Sequence, residues 1–350
     1  MSREAVLYQP LDGGRVRCTA CNRYCNIPEG KIGLCGIRKN IAGRLHLLVY
    51  GRIIAGNLDP IEKKPIMHYR PGTQVYSIAT TGCNWLCSYC QNYDISQRRK
   101  VEGWEVTPEE VVATTIRVGG QGIAYTYNEP TIFVEFAHDV GVIARRRGLY
   151  NCFVSNGYMT LEAIDYLADF LDAITVDFKG NGEPGFMRRY IGVAGPEPIF
   201  ESLLALKKKV SHVEVTDLVV PEIGDSLEWA RRLARWVYDN LGPETPLHFL
   251  RFHPDYKLSH LPWTPIETLE AHWKVGKEAG LHYVYLGNVP GHPYEHTYCP
   301  GCGRVVVRRL GFDILEWRLV KDNRCPDCGF KIAIKGVPPQ ASAHMQSYLH

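Results

Sequence analysis

Three cysteines, Cys83, Cys87 and Cys90, stand in a C-x3-C-x2-C loop with Tyr89 just before the last of them. A cubane [4Fe-4S] cluster has four irons, each ordinarily taking one thiolate. Three thiolates leave one iron open, and an open iron can bind a cofactor or substrate directly. The competing reading is a zinc site completed by a remote residue. The spacing speaks against it, because C-x3-C-x2-C is not a zinc-knuckle pattern.

The remaining cysteines sharpen the contrast. Eleven of the twelve fall into three clusters. Cys18, Cys21, Cys25 and Cys35 offer four thiolates at irregular spacing, which suits either zinc or a second iron-sulfur cluster, with disulfides as the alternative. Cys299, Cys302, Cys325 and Cys328 form two C-P-x-C-G turns. Paired C-x2-C turns of this kind read as a zinc ribbon with a closed, structural Zn2+. Rubredoxin-like iron or an auxiliary iron-sulfur cluster shares the spacing. Cys152 stands alone in an apolar run and reads as a small core residue.

The elements that must position these residues are strands and helices in alternation. Apolar runs at 74–80, 122–126, 150–155, 173–177, 212–219, 246–252 and 283–286 have the near-continuous character of strands buried on both faces of a parallel sheet. Helical patterns separate them. Thr107-Pro108-Glu109-Glu110 is a helix start, with Thr as N-cap, Pro at the first helical position and Glu at the third. The expected fold class is α/β, a partial or complete (β/α) TIM-like barrel with small Cys-rich metal modules at both ends. The expected division is 1–71 for the N-terminal module and lead-in, 72–290 for the barrel, and 291–350 for the zinc-ribbon-like module and tail.

Polar signatures follow the strand ends. Thr81-Gly82-Cys83 comes after the first strand, Tyr127-Asn128-Glu129-Pro130 after the second and Asn156-Gly157 after the third. Asp177-Phe178-Lys179 ends the fourth, Arg251 to Lys257 ends the sixth, and Asn288 to His292 follows the seventh. Barrel active sites gather at the C-terminal ends of strands. Each signature alone reads as a cap or turn, and Asp177 with Lys179 as an ion pair at a strand end. Six on one rim beside an open-iron motif read as a site.

Composition bounds the partners. The 350 residues are 45% hydrophobic, with a net charge of +3 and a pI near 8.2. The triplets Arg145-Arg146-Arg147 and Lys207-Lys208-Lys209 read as solvated helix faces, which speaks against a nucleic-acid partner. No apolar run reaches the roughly 18 residues a bilayer span needs. No signal-peptide pattern opens the chain. The expected compartment is the cytoplasm, where thiols stay reduced and metal binding explains the cysteine count.

The chain resembles the radical S-adenosylmethionine (SAM) superfamily, whose hallmark is the C-x3-C-x2-C loop. More narrowly, it is similar to the radical SAM member of the AmmeMemoRadiSam group, relatives of pyruvate formate-lyase activating enzyme. The carriers are Cys18 to Cys35 with Ile27-Pro28-Glu29-Gly30, the loop at 83–92, and the stretches 127–131, 177–179, 251–257 and 285–302. The resemblance implies a [4Fe-4S] cluster on Cys83, Cys87 and Cys90, with SAM chelating the open iron. One electron would cleave SAM, and the 5′-deoxyadenosyl radical would take a hydrogen from the substrate. Tyr127-Asn128-Glu129 stands where the family usually has Gly-Gly-Glu, and Glu129 would accept from the SAM ammonium. Asn156, Asp177 and Lys179 are the further expected cofactor contacts; Arg251, His253, Asp255 and Lys257 are expected to contact SAM or the substrate, and His292 either does so or is a turn residue beside the zinc module. The resemblance further implies a flavodoxin or ferredoxin as electron donor, and a protein or peptide as candidate substrate. Two other readings stand beside it, a glycyl-radical-enzyme activase and a non-catalytic zinc-ribbon adaptor that binds protein or nucleic acid.

Overall fold

A computed structural model describes residues 2–336. Residues 337–350 of the expected C-terminal module and tail lie outside the described residues.

The centre is one eight-stranded sheet whose strands lie side by side in chain order. They are β1 (Ala55–Pro60), β2 (Gln74–Ala79), β3 (Gly122–Tyr125), β4 (Tyr150–Ser155), β5 (Ala173–Lys179), β6 (His212–Val219), β7 (Leu247–Arg251) and β8 (Val284–Gly287). Strands β2 to β8 pair in parallel, while β1 pairs antiparallel with β2, Ala55 opposite Ala79 and Pro60 opposite Gln74. The seven parallel strands are the seven expected runs, within two residues at each end. β1 lies upstream of the expected barrel boundary at residue 72. Its sequence, Ala-Gly-Asn-Leu-Asp-Pro, is too polar to read as a core strand, because only an edge strand tolerates such exposure.

Crossovers after β2 to β7 carry helices α1 (Pro108–Arg117), α2 (Val134–Arg146), α3 (Leu161–Leu167), α4 (Glu197–Lys209), α5 (Leu227–Leu241) and α6 (Ile266–Glu278). The helix start at Thr107 forms as expected. Thr107 Oγ1 accepts from Glu110 N at 3.2 Å, and Glu110 Oε2 accepts from Thr107 N at 2.8 Å. The sheet curls without closing, since β1 and β8 do not pair with each other. This is a partial barrel. Cys152 is fully buried in β4, a core residue as expected.

The C-terminal module spans the gap between the two edge strands. It carries β9 (Thr297–Tyr298), β10 (Val305–Leu310) and β11 (Asp313–Trp317) in one antiparallel sheet. Buried Arg309 on β10 donates to Thr297 Oγ1 at 2.8 Å and to Met67 O at 3.4 Å. Tyr285 on β8 bonds His68 Nε2 at 2.6 Å, and Lys335 N donates to His68 O at 2.8 Å. The β1–β2 connection, the last strand and the module are thus joined through one polar seam over an apolar cluster that includes Met67, Tyr283, Val306 and Ile332.

The N-terminal module consists of two small antiparallel three-stranded sheets. It is anchored by Arg38, whose guanidinium meets the Glu135 carboxylate on α2 at 2.5 and 3.0 Å, both side chains buried. Removing one partner of such a pair would strand a buried charge, typically at a cost of about 3–5 kcal/mol.

Candidate functional site

The C-terminal ends of the strands open into a cavity of about 670 Å3. Cys83, Cys87 and Cys90 all line it. Their loop leaves β2 through Gly82, whose φ is +89°. A Cβ there would stand 2.3 Å from the Cys35 carbonyl oxygen, so only glycine lets the backbones approach this closely. Three backbone hydrogen bonds to two segments hold the loop. Leu86 N donates to Ile191 O, Ser88 N to Tyr190 O, and Lys257 N to Ser88 O, at 2.8–3.0 Å. Tyr89 is buried and stacks on Phe186 with centroids 5.7 Å apart. Cys90 Sγ lies 3.1 Å from Ser96 Oγ.

Burial pushes the Cys83 thiol well above its ordinary range and the Cys87 thiol up to about 12, and each neighbouring thiolate adds to the effect. Three adjacent thiols in this setting become thiolates together only with a cation among them. The donor set and the room beside it fit an iron-sulfur cluster with one open iron.

The rim residues divide into two sets. Tyr127, Asn128, Glu129, Asn156, Asp177 and Lys179 line the same cavity as the three cysteines. Most of their polar atoms are already engaged with protein, whereas Asn128 Oδ1 is buried without a partner. Glu129 accepts from Thr131 N (3.0 Å), Thr131 Oγ1 (2.5 Å), Ser155 Oγ (2.8 Å) and Asn156 N (2.7 Å). Asn128 Nδ2 donates to Gly82 O at 2.9 Å, bracing the cysteine loop. Asn156 Nδ2 donates to Asn84 Oδ1 at 2.8 Å. Asp177 takes Lys179 Nζ on one oxygen and Thr216 Oγ1 on the other, the ion pair that the sequence left open. Arg251 and His253 do not line the cavity. Arg251 Nε donates to Thr264 O, and its guanidinium lies over Trp263. His253 is paired with Asp255 at 2.7 Å and packs edge-on against the same tryptophan. Strand-end position and the resemblance placed these two at the site; in the structure both pack on the exposed Trp263 instead. His292 likewise turns to Glu270, at 3.1 Å.

Other cavity residues had no signal in the sequence. Glu62 is 1% exposed, with Oε1 accepting from Gly72 N and Oε2 buried without a partner. Burial pushes its carboxyl up to about 7. Lys64 Nζ and Tyr127 O–H both donate to Asp59 Oδ2, at 2.7 and 2.6 Å. Burial alone would raise Asp59, but the bonds from Lys63, Lys64 and Tyr127 outweigh it and hold the carboxylate below its ordinary range. His248 lines the floor and donates to Glu214 Oε2 at 2.6 Å, while His212 reaches Oε1 at 2.8 Å. Burial opposes ionisation of Glu214 too, and these two histidine bonds again prevail, leaving it well below the carboxylate range. None of these groups sits in a motif. They meet because β1, β6 and β7 and the connection after β1 converge on one lumen.

The C-terminal cysteines form a second site. The four sulfurs of Cys299, Cys302, Cys325 and Cys328 lie within 4.8 Å of one another. A tetrahedral ion with sulfur at about 2.3 Å requires sulfur separations of roughly 3.8 Å, and Cys299–Cys328 and Cys302–Cys325 stand at 3.5 and 3.7 Å. The arrangement suits a single metal ion. The four N-terminal cysteines line a separate small cavity. All twelve cysteines are free of disulfides.

The family model of the radical SAM superfamily matches residues 77–237, the stretch from β2 through most of α5 that carries the three-cysteine loop and the rim behind it. The chain belongs to the radical SAM superfamily. An uncharacterised protein of Methanocaldococcus jannaschii is 46% identical over 335 residues, 95% of this chain and 99% of that protein. Pyruvate formate-lyase 1-activating enzyme of Escherichia coli (strain K12) is 24% identical over 208 residues, 54% of this chain and 82% of its own length. The chain is thus a radical SAM enzyme related to that activating enzyme. A solved domain of pyruvate-formate lyase-activating enzyme from Bacteroides vulgatus aligns with a TM-score of 0.42 at 13% identity, covering 48% of this chain and all of that one. Among the described residues, no helix is long and apolar enough to cross a membrane.

Proposed function

We propose that this protein reductively cleaves SAM at a [4Fe-4S] cluster on Cys83, Cys87 and Cys90, and that the resulting radical takes a hydrogen from a substrate held in the barrel lumen. The observation that carries the reading is the convergence of these three cysteines on one cavity with Tyr127, Asn128, Glu129, Asn156, Asp177 and Lys179. When bound, the cluster supplies the electron and SAM the radical; the chain supplies position and exclusion of water. Glu129, carrying four protein hydrogen bonds, fixes the rim for the SAM methionyl group and leaves Oε2 capacity for an ammonium donor. Asn156 and Asn84 tie that rim to the cysteine loop. The exposed hairpin tip at Gly311 and Phe312 reaches the cavity mouth, so the C-terminal module forms part of the substrate entrance. We assign zinc to that module, whose sulfur geometry fits one tetrahedral metal ion and whose paired C-x2-C turns read as a zinc ribbon.

The motifs at 18–35 and 285–302 favour the AmmeMemoRadiSam group, and the reading takes a protein or peptide as candidate substrate and a flavodoxin or ferredoxin as candidate electron donor. A glycyl-radical-enzyme activase is the second reading, favoured by the match to the Escherichia coli activating enzyme. Mixing with a glycyl-radical enzyme and looking for its radical by electron paramagnetic resonance (EPR) separates the two.

The main test is anaerobic reconstitution followed by a SAM-cleavage assay with dithionite. The expected product is 5′-deoxyadenosine, abolished in the triple variant Cys83→Ala, Cys87→Ala, Cys90→Ala. Cleavage that persists in this variant refutes the assignment.

A further inference from the structure

The three-cysteine loop has two faces. Trp85, Cys87 and Tyr89 line the cavity, whereas Leu86 and Ser88 between them do not. Leu86 is 37% exposed, so this side of the loop meets solvent. Two segments dock on the loop at these residues. Ser88 N donates to Tyr190 O and Lys257 N donates to Ser88 O, at 2.8 and 2.9 Å. In the first segment, Met187–Ile191 is a single π-helical turn, pinned by buried Met187 and Ile191, with Arg188 and Arg189 exposed. In the second, Tyr256 stacks on Tyr93, with 4.7 Å between centroids and 13° between planes. Tyr93 itself is 44% exposed.

The charge on this surface is mostly of one sign. Arg188, Arg189 and Lys257 are exposed, and none of them is in an ion pair among the described residues. The Arg189 guanidinium lies over the Tyr190 ring and the Lys257 ammonium over that of Tyr256, at 5.4 and 5.2 Å. Against these three cations, the stretches 86–94, 187–192 and 256–257 hold one carboxylate, Asp94. Asp255, just before Tyr256, is already taken by His253. Tyrosine rings with unpaired arginines beside them have the make-up of a protein-docking patch. None of these residues lines the cavity, so the patch has no part in the lumen. What it adjoins is Cys87. Electron transfer falls off steeply with distance, and a carrier seated here has only the loop between itself and that thiolate. Electron-transfer encounters use small interfaces steered by charge.

We propose that the surface formed by Leu86, Tyr93, Arg188, Arg189, Tyr256 and Lys257 docks the electron donor, an acidic protein that carries a low-potential one-electron group. This rests on the function proposed above, because the electron must reach a cluster on Cys83, Cys87 and Cys90. One electron leaves the carrier, which is oxidised, and enters the cluster, which is reduced; no bond forms or breaks. The cations select an acidic partner and speed its approach, and Leu86 and the rings give it an apolar seat.

The test compares the reconstituted full chain with its Arg188→Glu, Arg189→Glu variant, using a reduced flavodoxin as donor. Reduction of the cluster, followed by stopped-flow absorbance, is expected to slow by about tenfold or more in the variant at low salt. The gap should close towards 1 M salt, where charges are screened beyond roughly 3 Å. Excess dithionite should reduce both proteins and yield equal 5′-deoxyadenosine. Equal flavodoxin rates in the two proteins, or a gap that salt does not change, overturn the docking surface and leave the proposed function standing. A variant that also fails with dithionite overturns the docking surface too, since its defect is then not in docking. A wild type that cleaves SAM with neither reductant overturns the proposed function itself. Binding gives a readout that needs no turnover. Oxidised flavodoxin titrated into each holoenzyme by isothermal calorimetry is expected to bind the variant about tenfold more weakly or worse at low salt, with Arg188→Lys, Arg189→Lys keeping most of the affinity. Equal affinity for wild type and the glutamate variant overturns the assignment.

Discussion

Glu129 Oε2 accepts the backbone N–H of Asn156 at 2.7 Å, joining the loop after β3 to the loop after β4. The other carboxylate oxygen takes Ser155 Oγ and both donors of Thr131. Burial raises the Glu129 carboxyl, and these donors work against that rise. The rim that faces the three cysteines is therefore held by one buried acid. Glu129→Gln must set an amide N–H2 against at least one of these N–H or O–H donors. The expected result is a loss of about 1–3 kcal/mol in stability, seen in thermal unfolding, with weaker SAM binding by equilibrium dialysis. Unchanged values of both would remove Glu129 from this role.

Glu62 predicts a pH dependence of stability. Its folded carboxyl titrates at about 7, raised by burial from an ordinary 4.5. The folded state therefore keeps a proton that the unfolded state has lost. Stability from this group falls as pH rises from 4.5 through 7 and is level above that. Glu62→Gln should raise the thermal midpoint relative to wild type at pH 8, by an amount equivalent to roughly 1–3 kcal/mol, and give no such gain near pH 4.5. A gain of equal size at both values would contradict the titration.

His68 works in the opposite direction. Burial lowers its imidazole to about 3 from an ordinary 6.5, so the unfolded chain binds the proton first. Its contribution is lost as pH falls from 6.5 towards 3. His68→Gln should flatten the acid limb of the stability profile, measured by urea unfolding between pH 4 and pH 7, even where the variant is less stable at neutral pH.

Gly82→Ala should be strongly destabilising. The residue has φ of +89° and no room beside the Cys35 carbonyl. Left-handed strain and overlap together suggest a cost of roughly 2–5 kcal/mol. Alanine at Gly303, which has a similar φ of +73° but open space around it, should cost clearly less. Equal thermal midpoints for the two variants would show that the close approach is unimportant.

Cys325→Ser addresses the C-terminal module. The variant should lose about one zinc per chain and melt at lower temperature, while the iron count stays at the wild-type value. Loss of iron with zinc retained would reverse the assignment of metals.

How far the sequence reached can be judged residue by residue. Seven parallel strands were legible because a strand buried on both faces must be apolar throughout, and β3, with all four residues buried, is the plain case. β1 was not legible, since its polar sequence, Ala-Gly-Asn-Leu-Asp-Pro, carries no such signature. Rim position brings Asn156 and Asp177 to the cavity, whereas Arg251 and His253, also at a strand end, do not line it. A strand end fixes where a Cα lies; the neighbours, here Trp263 and Thr264, decide where a long side chain turns.

The sequence by itself determined the ligand inventory and the chemistry it permits. Cysteine spacing is a local property, so C-x3-C-x2-C already held an incomplete thiolate set and C-P-x-C-G a closed one. Tertiary structure alone decided what those ligands face. The unpaired oxygen of Glu62 and the Glu214 floor with His212 and His248 come from segments far apart in the chain. Strand order and loop docking bring them together, and no local pattern encodes a contact that depends on where another segment comes to rest.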